Sequence, residues 1–374
     1  MTRDTTTAPT TGQAKISNIQ TRILSIPFER PLVTASFPIP AIDTVIVEVE
    51  SDVGERGISW IFAFGRKRVG VLKAMVEDLA DLARGEDPFM TEQLWQKMWQ
   101  AVGFVGRQGI TTLAMSAIDT ACWDLAGKIA RLPVYKLLGG HRATVEAYAS
   151  QGLWLDRDRD ELAHEAEEYV QQGFKGMKMR VGLPDEDEDI ARVQTVREAI
   201  GPNTALMVDA NQAWSVKQAI RMGRRLEEFD LIWLEEPVPF EDIAGSAEVT
   251  AALDVAVCTG ENNYLKLDFA HLLEARAADI MMPDLMRMGG VTELLKTAHL
   301  CESFQTPVSP HLFMEVSSHL AAACPNAIWQ EYQPWWNPIL AEPVSFHDGA
   351  IYLTELPGFG IEFDESAINK YELK

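Results

Sequence analysis

Two rhythms of apolar and polar positions run along the chain, and the change between them divides it. Over residues 16 to about 57 they alternate, in TRILSIPF and again in DTVIVEVES before a glycine-containing turn, which predicts a short antiparallel meander. Apolar residues then recur at helical spacing over 69–83, 90–102 and 110–130, so the first 140 residues read as an α+β domain closed by LPVYKLLGGH. From Val145 onward short apolar runs alternate with amphipathic stretches: FKGMKMR, TALMVDAN, LIWLEEP, VAVCTGE, ADIMMPD, TPVSPH and AIWQE. With AYASQG as a first strand these make eight strand–helix units, whose candidate strand ends after the first are Arg180, Asp209, Glu235, Glu261, Asp284, His311 and Glu331. Alternating strands and helices call for a parallel sheet, and eight of them suit a closed β/α barrel. An open doubly wound sheet would carry a phosphate-binding glycine fingerprint, and the chain has none. The expected organisation is a Thr-rich flexible tail over 1–13, an α+β cap over 14–140, a barrel over 141–343, and a final segment over 344–374 that packs back on the cap.

Composition narrows the function classes. At 374 residues and 47% apolar content the chain can bury a large core, and at 24% charged it is neither fibrous nor disordered. Lys plus Arg number 33 and Asp plus Glu 55, a net charge of −22, and a field of that sign repels phosphate backbones and anionic headgroups. Nucleic acid and membrane surfaces are therefore not expected partners. No apolar run approaches roughly 18 residues and the first residues are polar, so neither a spanning helix nor a signal peptide is expected, and the cytoplasm is the expected compartment. Cys122, Cys258, Cys301 and Cys324 stand singly in apolar surroundings, as reduced core thiols do.

The chemistry lies at the strand ends. Apolar strands that finish in ionisable residues bring them to one mouth of a barrel, where catalysis belongs. Asp209, Glu235 and Glu261 end three successive strands, and three converging carboxylates repel unless a cation neutralises them. All-oxygen ligation selects a hard ion, Mg²⁺ before Mn²⁺. Lys178 and Arg180 lie two apart and share a face, where they either pair with the carboxylates or hold an anionic substrate. Asp284 and His311 end neighbouring strands: either the histidine beside Pro310 is structural, or Asp284 accepts its Nδ1–H and leaves Nε2 as an acid/base.

These residues, with VGRQG, AIDTACWDLAGK, VDANQ, WLEEP, TGEN, MPDLMRMGG and SPHLFMEVSSHLAAACP, resemble the mandelate racemase subgroup of the enolase superfamily over essentially the whole chain after the tail. The resemblance implies a modified (β/α)7β TIM barrel behind an N-terminal α+β capping domain, an α/β fold. It implies Mg²⁺ on Asp209, Glu235 and Glu261, general acid/base catalysis by His311 with Asp284, and contact of Lys178 and Glu331 with a substrate carboxylate and its enolate. Asn211 and Gln151 are further expected site residues. Two departures bear on the reaction. The family's racemases carry lysine at both ends of a K-x-K pair, and here the second is Arg180. Where the racemase has lysine after the strand-six aspartate, this chain has Arg287, as the family's acid-sugar dehydratases do. A lysine base of the muconate-cycloisomerase kind is absent from residues 284–290.

The expected function is thus an Mg²⁺-dependent dehydratase of a sugar acid, aldonate or aldarate, in a homo-oligomer that takes a small carboxylate substrate. The alternatives are a racemase or epimerase of a 2-hydroxy acid and, from another class, a catalytically silent barrel that binds or builds. Substrate choice is expected to rest on mobile cap segments around residues 31–38 and 60–66. In the second of these Trp60 is either a core aromatic or a substrate contact, and Arg66 is either solvated or reads a distal carboxylate.

Overall fold

The computed structural model describes residues 14–33 and 38–373. The tail expected over 1–13 and the middle of the 31–38 segment lie outside the described residues. Three antiparallel strands, β1 (Ile16–Val33), β2 (Pro38–Ser51) and β3 (Arg56–Ala63), form the cap sheet in that order. The alternation was legible, but β3 runs on to Ala63, so most of the second segment expected to be a mobile loop is strand. Helices α1 (Arg66–Ala83), α2 (Thr91–Ala101), α3 (Ile110–Ala130) and the short α4 (Val134–Leu137) complete the cap. Helix α3 is buried nearly all round because it lies between the cap sheet and the barrel. Gly57 on β3 permits the contact: a Cβ there would stand 2.1 Å from the Ala121 carbonyl oxygen.

The barrel follows as β4 (Thr144–Ala149), α5 (Arg159–Gln171), β5 (Gly176–Arg180), α6 (Glu186–Ile200), β6 (Ala205–Asp209), α7 (Val216–Leu226), β7 (Leu231–Glu235), α8 (Ile243–Ala252), β8 (Val257–Thr259), α9 (Leu265–Ala275), β9 (Ile280–Met281), α10 (Val291–Ser303), α11 (Met314–Ala323) and β10 (Gln330–Tyr332). Helix starts are chemically marked. Asp158 and Glu161 form a reciprocal capping box on α5, and Asp185 caps α6 ahead of four acidic residues that complement the helix dipole. Strands β4 to β9 pair in parallel, and β10 pairs in parallel with β4. The seventh strand position is reduced to single bridges, Val308 to Met281 and to Ala327, and Asp284 to His311. The ring therefore closes with seven strands and one bridged segment.

After the barrel, β11 (Phe346–His347) and β12 (Ala350–Tyr352) add antiparallel pairing onto β4, and α12 (Glu365–Tyr371) ends where Leu373 N–H donates to the Ile23 carbonyl of β1. Among the described residues no helix is long and apolar enough to cross a membrane.

Cap and barrel are riveted along one seam. Ser116 Oγ donates to Leu285 O at 3.0 Å, and Trp95 Nε1 donates to Gly289 O at 3.0 Å. Buried Asp119 accepts the Thr292 N–H at 2.9 Å and its hydroxyl at 2.5 Å, and burial pushes its carboxyl up to about 7. Gly290 makes room for it, since at φ 105° a Cβ would stand 2.4 Å from Asp119 Oδ2. By contrast, the end of β1 and the start of β2 are held by Arg30, which pairs with Asp156 and Glu161 at 2.8 Å each, and by Leu32 and Ile39 packed on Trp154.

Candidate active site

The site forms where the C-terminal ends of the barrel strands face the cap. Asp209 and Glu235 are the last residues of β6 and β7, while Glu261 lies in the turn just beyond β8. One oxygen of each comes within 4.8 Å of the other two. Their outer partners hold them: Trp233 Nε1 donates to Glu235 Oε2 at 2.9 Å, and the Asn211 backbone and side-chain N–H groups donate to Asp209 at 2.8 and 3.1 Å. Asn211 has φ 42°, a left-handed conformation that asparagine tolerates better than most residues, and its Oδ1 is buried without a protein partner.

Behind these carboxylates Lys178 is 1% exposed. Its Nζ lies 2.5 Å from Glu235, 3.2 Å from Glu331 and 3.6 Å from Asp209. Burial alone would favour the neutral amine, but Glu235 and Glu331 outweigh it and hold Lys178 well above its ordinary value. Burial likewise pushes Glu235 well above the carboxylate range, beyond what the Lys178 ammonium takes back, with Asp209 and Glu261 adding to the rise. Glu331 moves the other way despite its burial, because Lys178, His311 and Arg180 surround it; it also accepts from Ser150 Oγ at 2.6 Å and from the Leu312 N–H at 2.9 Å. The converging oxygens of Asp209, Glu235 and Glu261 make an all-oxygen donor set that fits a hard divalent cation.

On the other side His311 Nδ1 lies 2.8 Å from Asp284 Oδ2, and its Nε2 lies 3.3 Å from Glu261 and 3.7 Å from Glu331. Burial opposes its protonation, but Glu261, Glu331 and the Asp284 bond raise it to about 9. With Asp284 accepting from Nδ1, Nε2 is the nitrogen left for proton transfer. Arg180, at the end of β5, stacks over Trp154 with Cζ 4.3 Å from the ring centroid and donates to Ser150 O at 3.3 Å.

A cavity of about 290 Å³ joins these groups, lined by Arg180, Asp209, Asn211, Glu261, Arg287 and His311 and walled by apolar residues. Lys178, Glu235 and Glu331 form the layer beneath it and are not part of the lining. Three candidate substrate contacts lie elsewhere. Trp60 is 3% exposed and packs on Phe313, Trp336 and Phe363, because it stands two and four residues further into the cap than Phe62 and Phe64, which do line the cavity. Arg66 opens α1 at an exposed position and faces a separate depression with Asp43 and Arg68. Gln151 turns back to accept the Ser150 N–H at 3.2 Å.

Sequence reasoning singled out Arg287 but missed Glu236 and its partners Gln212 and Asn262. Glu236, the second glutamate of WLEEP, is 1% exposed, bonded by Gln212 and Asn262, and pushed up to about 8 by burial and by Glu261. Arg287 Nη2 donates to Asn262 Oδ1 at 3.1 Å and its backbone N–H to Asp284 Oδ1 at 2.9 Å. A continuous polar chain thus runs from Gln212 through Glu236, Asn262, Arg287 and Asp284 to His311. The doubled glutamate was the available signal, since adjacent residues point opposite ways and both had to be satisfied.

Residues 18–139 match the mandelate racemase / muconate lactonizing enzyme N-terminal domain, and residues 161–367 match the enolase C-terminal domain-like family. The chain belongs to the mandelate racemase / muconate lactonizing enzyme family of the enolase superfamily. It is 36% identical over 371 residues to L-talarate/galactarate dehydratase of Salmonella typhimurium (strain LT2), covering 97% of this chain and 92% of the relative. The crystal structure of that relative superposes with a TM-score of 0.92 at 35% identity, over 96% of this chain and 92% of that one. L-talarate dehydratase from Polaromonas sp. JS666, complexed with Mg and L-glucarate, superposes with a TM-score of 0.89 at 34% identity, over 96% and 98% of the two chains. An enolase from Bradyrhizobium complexed with magnesium and mandelic acid gives a TM-score of 0.90 at the same 34% identity, over 96% and 99%.

Proposed function

We propose that this chain is a hydro-lyase, a Mg²⁺-dependent dehydratase that converts a sugar acid to a 2-keto-3-deoxy acid. The observation that carries the reading is the His311–Asp284 dyad standing 3.3 Å from the third carboxylate of an oxygen-only cation site, in a cavity that also receives Arg180. Asp209, Glu235 and Glu261 would hold the ion, which supplies Lewis-acid stabilisation of negative charge on a small substrate's carboxylate. Lys178 and Glu331 set the charge beneath that carboxylate from the layer below the cavity.

His311 Nε2 takes the proton from C2, and the electron pair delocalises into the carboxylate as an enediolate. The enediolate then expels the C3 hydroxyl: the C3–O bond breaks, the imidazolium returns its proton to the leaving oxygen, and water departs. Tautomerisation of the resulting enol gives the 2-keto-3-deoxy acid. Asp284 holds the imidazole in the tautomer that leaves Nε2 free, and the bonds from Arg287 hold Asp284. Arg180 stays cationic through this sequence because a guanidinium is a very poor base, so protonation proceeds from one face.

The test is turnover in D₂O with and without a chelator. The expected product carries deuterium at C3, and recovered substrate shows no inverted C2 centre. A C2 epimer carrying solvent deuterium would replace the dehydratase reading by an epimerase, and undiminished turnover after chelation would remove the metal from it.

A further inference from the structure

The two walls of the cavity differ in kind. Among the described residues every ionisable side chain that lines it comes from the barrel, whereas the five that the cap contributes, Ile39, Phe62, Ala63, Phe64 and Leu113, are apolar. Trp335, after β10, extends that wall by edge contacts with Phe62 and Phe64 at centroid distances of 6.0 and 6.4 Å. Arg180 and Arg287 are the only lysine or arginine side chains among the described lining residues, and both are committed to the barrel wall, as is His311: Arg180 to Ser150 and Trp154, Arg287 to Asp284 and Asn262. Arg66 and Arg68 face the neighbouring depression, and Ile39 and Phe64 line both spaces as a partition between them.

We infer that the substrate is a monocarboxylic acid whose end remote from the carboxylate is apolar, a terminally deoxygenated sugar acid, and that a diacid is excluded. This rests on the proposed function in one respect: the carboxylate and reacting carbons occupy the barrel wall, which sends the far end of the molecule to the cap. A second carboxylate placed there would give up hydration against these side chains and meet no counter-charge among the described cap residues, a costly arrangement for an ion. A methyl end would instead remove apolar surface of Phe62, Phe64 and Trp335 from water. A terminal hydroxyl falls between the two, since an apolar pocket rejects an added hydroxyl only about 100-fold.

The closing experiment compares matched acids of the same C2 and C3 configuration, a 6-deoxyhexonate and the corresponding hexarate. Two readouts are taken on the Mg²⁺-loaded protein: 2-keto product formation, and equilibrium binding followed by tryptophan fluorescence. The deoxy acid is expected to exceed the hexarate by at least about 100-fold in kcat/KM and to bind more tightly. Leu113→Arg, which puts a cation into the cap wall, is expected to raise hexarate binding relative to the deoxy acid by 10-fold or more. Tighter or equal binding of the hexarate by the unaltered protein, or binding of neither acid, overturns the inference. Preferential binding of the deoxy acid without any 2-keto product would leave the inference standing and defeat the dehydratase reading instead.

Discussion

His311 and His319 are eight residues apart, and their surroundings push the two imidazoles in opposite directions. At the mouth, His311 is surrounded by Glu261, Glu331 and Asp284 and is raised to about 9. On the far side of α11, His319 has no carboxylate partner, and burial lowers it to about 3. Its Nδ1 accepts the Tyr135 N–H and its Nε2 donates to Phe359 O, each at 3.2 Å, so the neutral ring satisfies two backbone groups where cap, barrel and C-terminal segment meet. Burial by itself neutralises an imidazole; carboxylates carried into the same burial reverse it. One region invests its polar groups in reactivity and the other in holding the chain together.

The sharpest way to break this contrast is to remove each ring. His311→Asn should lower kcat by about 10²- to 10⁴-fold, the range of a lost general acid/base, while the thermal midpoint stays close to that of the parent. Steady-state kinetics alongside a thermal melt checks both, and a variant within threefold of the parent would move the proton-transfer role to another residue. His319→Leu should do the reverse. It leaves the Tyr135 N–H and the Phe359 carbonyl buried without partners, which costs about 1–3 kcal/mol per group, with kcat of the folded fraction nearly unchanged. Urea unfolding monitored beside activity measures it; an unchanged midpoint would show that water takes over those bonds.

The smallest effect sharpens the comparison through pH. Unfolded histidine takes up a proton near its ordinary value of 6.5, whereas folded His319 does so only near 3. Between those values the unfolded chain binds the extra proton, so this contribution to stability is complete above about pH 6.5 and drains away as pH falls, by up to ~1.4 kcal/mol per pH unit. The parent's stability should therefore fall more steeply than that of His319→Leu between pH 6 and 4, and parallel slopes would contradict the assignment.

What the sequence made legible follows the same division. Asp209 and Glu235 stood out because apolar strands ended in acids, and the cap, the barrel and the dyad followed from periodicity and motif. Glu261, Asp284 and His311 lie in turns or bridges past the short strands β8 and β9, so only their common mouth, not their strand membership, was readable. Trp60 was left open between core and site because alternation puts Trp60, Phe62 and Phe64 on one face without saying how deep each sits. Trp154, stacked on Arg180, had no local signal at all, since the contact depends on how the segment after β4 folds over β5.

The seam between α3 and residues 285–292 has a mechanical consequence. That barrel segment also carries Arg287 and adjoins Asp284, so a swing of the whole cap would drag the acid/base pair with it. The chamber cannot work as a hinged jaw. Where the end of β1 and the start of β2 meet the barrel the fastenings are of another kind, solvent-screened ion pairs of Arg30 and the packing of Leu32 and Ile39 on Trp154. A substitution in the seam is therefore felt at the dyad, whereas one at the Arg30 contacts is mechanically remote from it.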